Sequence, residues 1–210
     1  MTAVASAEAL MIKDLQVVAD LAAGKPVVLY DREQCAATLV IAAATASADV
    51  IAFAVRHGSG LLTVALPEQD CDRLGLTRMI GAGCHSSLRD GRVTVDAAEG
   101  ISTGISATDR ARTVRLLGRP ETKPDDLHRP GHVMTTAVPP SCCSCGQPSA
   151  PSSATVALEL VRTSGLRPAA ALTHLVHPDS AELLDYDNAL QFGHTYGLQV
   201  ADSLELLTHT

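Results

Sequence analysis

Two histidines in this chain stand where proton transfer could be performed. His132 follows Arg129-Pro130-Gly131 and precedes a strand-like stretch, and His174 interrupts the apolar run Ala169-Ala170-Ala171-Leu172-Thr173-His174-Leu175-Val176. An imidazole titrates near neutral pH, so each could act as general acid or base, and each could equally be a buried ring bonded to backbone. Ser102 and Thr103, beside Gly104, could donate hydrogen bonds to an oxyanion or a phosphate, or could simply satisfy a turn. Asp109-Arg110 reads as a helix-start acid with a neighbouring ion pair. Cys142-Cys143-Ser144-Cys145-Gly146 invites a metal reading, but it lacks the second paired cluster of a structural zinc site. Its thiols suit exposed redox or nucleophilic use, or an incidental surface loop.

The elements that would position these groups alternate along the chain. Leu10, Leu15, Val18 and Leu21 recur at helical spacing over residues 8–23, with Gly24 as a C-terminal stop. Val27-Val28-Leu29-Tyr30 reads as a buried strand ending at Asp31. A helix including Ile51–His57 is broken by Gly58-Ser59-Gly60, and Leu61–Leu66 looks like a strand. Glu68–Leu74 suits a short helix, residues 81–91 a polar loop, and Val93–Asp96 a strand. Ser106 or Thr108 can cap a helix running to Leu117. Residues 139–153 form a Pro/Ser/Cys-rich break read as a long surface loop. Helix Ala154–Thr163, strand Ala169–Val176, helix Leu183–Tyr196 and a closing strand near Gly197–Val200 complete the order. The interleaving predicts an α/β (α+β) fold, a mixed sheet with helices packed on it, in a single domain spanning 1–210.

Bulk properties narrow the function classes. The chain is 46% hydrophobic but only 2% aromatic and has no tryptophan, so its core must be built from small aliphatic side chains. A formal net charge of −7 argues against nucleic acid or an anionic membrane as partner. No apolar run approaches the roughly 18 residues of a membrane span, and the start lacks a basic leader, so the cytoplasm is the expected location. The six cysteines, Cys35, Cys71, Cys84, Cys142, Cys143 and Cys145, are expected to be free thiols.

Several segments, in order, carry a resemblance. Arg56-His57-Gly58-Ser59-Gly60-Leu61, Asp72-Arg73-Leu74-Gly75-Leu76, the stretch from Val95-Asp96 through Ile101-Ser102-Thr103-Gly104-Ile105-Ser106-Ala107-Thr108-Asp109-Arg110-Ala111, and Asp125 through Arg129-Pro130-Gly131-His132 resemble the signatures of 3,4-dihydroxy-2-butanone 4-phosphate synthase. That family cuts formate out of ribulose 5-phosphate in riboflavin biosynthesis. The resemblance covers about Leu10 to Leu207 and implies the family fold, a homodimer with sites near the subunit interface, and a small-molecule substrate. It also implies His132 as a catalytic residue. Arg32, Glu33, His57, Ser59, Ser102, Thr103, Ser106 and Arg129 are its implied substrate-binding set, and His174, where the family has a Glu, becomes the second catalytic candidate.

The family's cations lie between a Glu in a loop R-E-N-E-G-D and a His in R-x-G-H-T-E. Here the first loop reads Asp31-Arg32-Glu33-Gln34-Cys35-Ala36-Ala37-Thr38. One alignment puts Gln34 at the metal-binding Glu and Thr38 at the Asp, and another keeps Glu33 in register. Counting back from Gly165-Leu166 puts Ser153 at the metal-binding His. No metal site is therefore expected, with Mg²⁺ or Mn²⁺ required only if the family activity is retained. The leading expectation is a repurposed enzyme performing metal-independent acid–base chemistry on another small polar or carbonyl substrate in specialised metabolism. The alternatives are a genuine synthase with an atypical metal site and a non-catalytic scaffold.

Overall fold

The computed structural model describes residues 11–12, 15–79, 90–139, 152–180 and 182–208. Most of the 139–153 break, with Cys142, Cys143 and Cys145, and most of the 81–91 loop, with Cys84, lie outside the described residues. Seven strands form one mixed sheet in the order β5-β6-β4-β7-β3-β2-β8. They are β2 (Val27–Asp31), β3 (Ala36–Ala42), β4 (Thr63–Pro67), β5 (Gly91–Ala97), β6 (Leu127–Val138), β7 (Ala170–His174) and β8 (Val200–Asp202). β4 runs parallel to β6 and antiparallel to β7, and β2 and β3 form an antiparallel hairpin.

The central strands are buried on both faces, which explains their near-continuous apolar runs. Alternation divides them between two cores. Val28, Tyr30, Leu39, Ile41, Val64 and Leu66 face one side. There they meet α2 (Ala48–His57), α3 (Glu68–Arg73), α4 (Ala107–Leu117) and α6 (Tyr186–Tyr196). Val27, Leu29, Val40, Ala42, Ala65, Ala170 and Leu172 face the other, against α1 (Leu15–Ala22) and α5 (Ser153–Thr163). Alanine at so many inner positions is what the low aromatic content requires: backbones approach closely instead of large rings filling the gap.

Helix boundaries follow capping chemistry. Ser47, Ser106, Ser152 and Asp185 each accept a backbone N–H three residues on and open α2, α4, α5 and α6. Gly197 ends α6 in the left-handed region at φ 65°. The first helix is shorter than its periodicity suggests. Met11–Ile12 forms β1 instead, paired antiparallel with β9 (Leu207–Thr208). That pairing joins the two ends of the chain, which no local pattern could announce. A short helix, α7 (Ser203–Leu206), links β8 to β9.

Candidate active site

β6 and β7 flank β4, so His132 and His174 enter from strands next but one in the sheet, about 10 Å apart laterally. By strand alternation His132 shares a face of β6 with Met134 and Thr136. Those two residues, Thr63, Leu172 and His174 line a cavity of about 270 Å³ closed by Gln34, Thr38 and the start of α5. His132 stands beside this cavity and is not part of its lining.

His132 is clamped by one carboxylate. Asp96 on β5 accepts the His132 backbone N–H at 3.0 Å through Oδ1 and bonds Nδ1 of the ring at 2.7 Å through Oδ2. This orients the imidazole and leaves Nε2 as the atom available to a substrate. A Cβ at Gly104 would lie 2.2 Å from Asp96 Oδ2 and 2.8 Å from His132 Nδ1, and φ there is +87°. Only glycine lets the loop pass this pair. Below it, Ser102 Oγ donates to Asp109 Oδ2 at 2.8 Å and the Gly104 N–H to the same oxygen at 3.2 Å. The Ser102 hydroxyl holds the Asp109 carboxyl below its usual pKa, so the loop is tied to an ionised acid. Asp109 thus serves the loop. Arg110 is buried, and burial lowers its pKa against the opposing charge of Asp96.

His174 is built differently. Its Nδ1 lies 3.0 Å from Thr38 Oγ1 on β3. In the tautomer where the threonine hydroxyl donates, Nε2–H is offered to the cavity. Burial lowers the His174 pKa below that of a free imidazole, with Asp31 opposing the shift. The unfolded chain therefore takes up this proton first as pH falls. The contribution to stability is complete above the unfolded value of about 6.5 and is lost as pH falls through the lower native value. His57 shifts in the same direction, also through burial. Urea midpoints are expected to drop between about pH 7.5 and about pH 5.5, and to drop less in His174→Gln. An equal drop in both proteins would contradict this account.

The Asp31–Thr38 turn and the start of α5 are sewn together. Asp31 Oδ2 accepts the Ser153 hydroxyl at 2.6 Å, and Oδ1 accepts the N–H groups of Glu33 and Gln34 at 3.0 and 3.1 Å. A buried hydrogen bond to a charged group contributes about 1.5–3 kcal/mol, so this bond is a main brace of the cavity. Among the described residues no three His, Cys, Asp or Glu side chains are grouped to hold a metal ion.

The remaining expected site residues separate. Arg32 turns away, pairing with Asp202 and, at 3.6 Å, with Glu205, and lying over the Tyr186 ring. Arg129 spends its guanidinium on the carbonyl oxygens of Leu74, Pro124 and Leu127. His57 packs among Phe53, Phe192 and Tyr196 at a separate cleft. Ser106 caps α4, Ser59 donates its backbone N–H to the His174 carbonyl, and Glu33 and Thr103 are exposed. Asp96 is the residue that sequence reasoning missed. Its only signal was its place in a motif, because its partner lies 36 residues on. Of the cysteines, Cys35 and Cys71 are free thiols; burial drives the Cys71 pKa up to about 11, which keeps it unreactive.

Comparison with known proteins follows the same lines. Residues 15–209 match the family model of 3,4-dihydroxy-2-butanone 4-phosphate synthase. The riboflavin biosynthesis protein RibBA of Salinispora arenicola is 44% identical over 171 residues, covering 78% of this chain and 39% of that protein. RibBA of Rhodococcus erythropolis is 40% identical over 193 residues, covering 90% and 45%. The chain therefore spans less than half the length of these relatives. The crystal structure of the Candida albicans synthase superposes with a TM-score of 0.81 at 28% identity, covering 93% of this chain and 96% of that one. A synthase solved in complex with two magnesium ions gives 0.79 at 28% identity, covering 90% and 92%.

Proposed function

The chain belongs to the 3,4-dihydroxy-2-butanone 4-phosphate synthase family of lyase-type enzymes, and from that membership we propose that it performs the family reaction, conversion of ribulose 5-phosphate to 3,4-dihydroxy-2-butanone 4-phosphate and formate. Relatives named for riboflavin biosynthesis support this reading over a repurposed enzyme of specialised metabolism, which they do not support. The observation that carries the proposal is the Asp96–His132 pair beside the His174 cavity. Enolisation of a ketose needs a base for the carbon-bound proton and a donor for the carbonyl oxygen. His132 Nε2, held by Asp96, suits the first task. His174, kept neutral by burial, suits the second, as a neutral imidazole polarises a carbonyl in other sugar-phosphate enzymes. The start of α5 faces the cavity, and the partial positive charge of a helix N-terminus suits a phosphate.

The donors among the described residues do not fit a magnesium pair. Divalent magnesium takes six oxygens in near-octahedral order and favours carboxylates. Asp90 is the one carboxylate in the described lining, and both oxygens of Asp31 already accept hydrogen bonds. A homodimer with its sites near the subunit boundary belongs to the same proposal, and the exposed Leu61 and Ile105, close to the two histidines, would be covered by it.

A second reading keeps the same proton chemistry but takes an unphosphorylated carbonyl compound. It is favoured by one observation: no Lys or Arg lines the described cavity. The experiment is formate release from ribulose 5-phosphate, with and without magnesium. Turnover with equimolar formate is the expected result. Absence of formate under every condition would overturn the synthase reading.

A further inference from the structure

We infer that the cavity between the Asp31–Thr38 turn and the start of α5 takes its ligand, a polyhydroxy carbonyl compound, mainly through the neutral hydroxyl, amide and imidazole groups of its described lining, with no divalent cation between protein and ligand. This rests on the reading that the cavity holds the substrate. The described lining offers the Gln34 amide, the hydroxyls of Thr38, Thr63, Thr136, Ser152 and Thr155, the His174 ring and one carboxylate, Asp90, too few anionic oxygens for a hard divalent ion.

The Asp31 carboxylate is turned onto the start of α5. Ser153 donates its buried hydroxyl to Asp31 Oδ2, and two backbone N–H groups occupy Oδ1. A cation drawing on Asp31 would have to share a carboxylate that already accepts three hydrogen bonds and still find most of its shell elsewhere. Gln34, three residues on in the same turn, brings a neutral amide where a carboxylate would serve a hard ion. The neutral groups present fit a ligand whose own hydroxyls and carbonyl need partners. Each lining hydroxyl can both donate and accept, so it can pair with either. Enolisation without a metal has a physical route, because a neutral imidazole in a dry site can stabilise the developing enediolate oxygen.

Calorimetry with ribulose 5-phosphate, in chelator and in excess magnesium, tests ligand recognition, and Mn²⁺ titration followed by electron paramagnetic resonance tests the ion directly. The expected result is the same ligand affinity to within about twofold in both buffers, and Mn²⁺ binding no tighter than about millimolar, with or without the ligand. Tightening by about tenfold or more with magnesium, or Mn²⁺ binding tenfold tighter than millimolar, would overturn the inference. The variant Gln34→Glu supplies a carboxylate to the same cavity and leaves the Ser153–Asp31 hydrogen bond in place. It is expected to bind Mn²⁺ more tightly than the wild type, and a wild type that matches it at sub-millimolar affinity would overturn the inference. Formate release is a separate readout. Its absence sinks the synthase reading and leaves the Mn²⁺ result to decide this one, even if ribulose 5-phosphate does not bind.

Discussion

His132→Ala is expected to lower kcat on ribulose 5-phosphate by about 10²–10⁴-fold, the usual range for removing a positioned general base. The ring projects from β6 with a 40% exposed side chain and is anchored at one nitrogen only, so its loss should leave the fold intact. Asp96→Asn separates orientation from presence. An asparagine amide can donate to Nδ1, which would place the ring proton on Nε2 and remove the basic lone pair from the free ring nitrogen. Its kcat should fall nearly as far as that of His132→Ala. The double variant should fall no further than the worse single one, because the two residues act as a unit. Steady-state kinetics with circular dichroism as a fold control makes the check. Full activity in His132→Ala with unchanged circular dichroism would remove the Asp96–His132 pair from the mechanism.

Gly131→Ala is expected to cost at least about 3 kcal/mol, enough to consume a large part of a typical domain's stability. An added Cβ would sit 2.0 Å from the Val95 carbonyl carbon and 2.3 Å from the Asp96 nitrogen, both backbone atoms of the neighbouring strand. No rotamer change relieves a clash with backbone, so β5 and β6 must separate here. This is also where their register is irregular, between Val95 and Asp96. Separation would draw Asp96 away from His132, so activity should fall together with stability. The measurement is a urea unfolding curve beside kinetics at low temperature, where the variant still folds. A variant as stable as the wild type would show that the two strands tolerate a wider gap than their packing implies.

The sequence made the strand-and-helix order legible. β2, α2, α3, β5, α4, α5, β7 and α6 appear close to where apolar periodicity and capping residues place them. Serine three residues before a free N–H, an apolar run of strand length and a glycine at positive φ act within a few residues, so the local code suffices. The same holds for the motif stretches. Ser102, Gly104, Ser106 and Asp109 form a local network whose members lie within seven residues of one another.

The site was less legible because charge partners are chosen across the fold. Arg32 and Arg129 look like substrate ligands in a row of letters. One, in the turn after β2, meets Asp202 on the strand that pairs with β2, and the other meets three carbonyl oxygens left by the turns around Leu74 and Pro124. His57 sits two residues from Ser59, yet its ring faces the aromatic cluster of α6 while Ser59 reaches β7. The family and the element order were carried by the sequence itself, because each depends on neighbours along the chain. Asp96 as the partner of His132, Thr38 as the partner of His174, and the closure of Asp31 onto Ser153 were decided only in three dimensions. Strand order brings those groups within hydrogen-bond reach across 36 to 136 residues, and no spacing along the chain encodes that order.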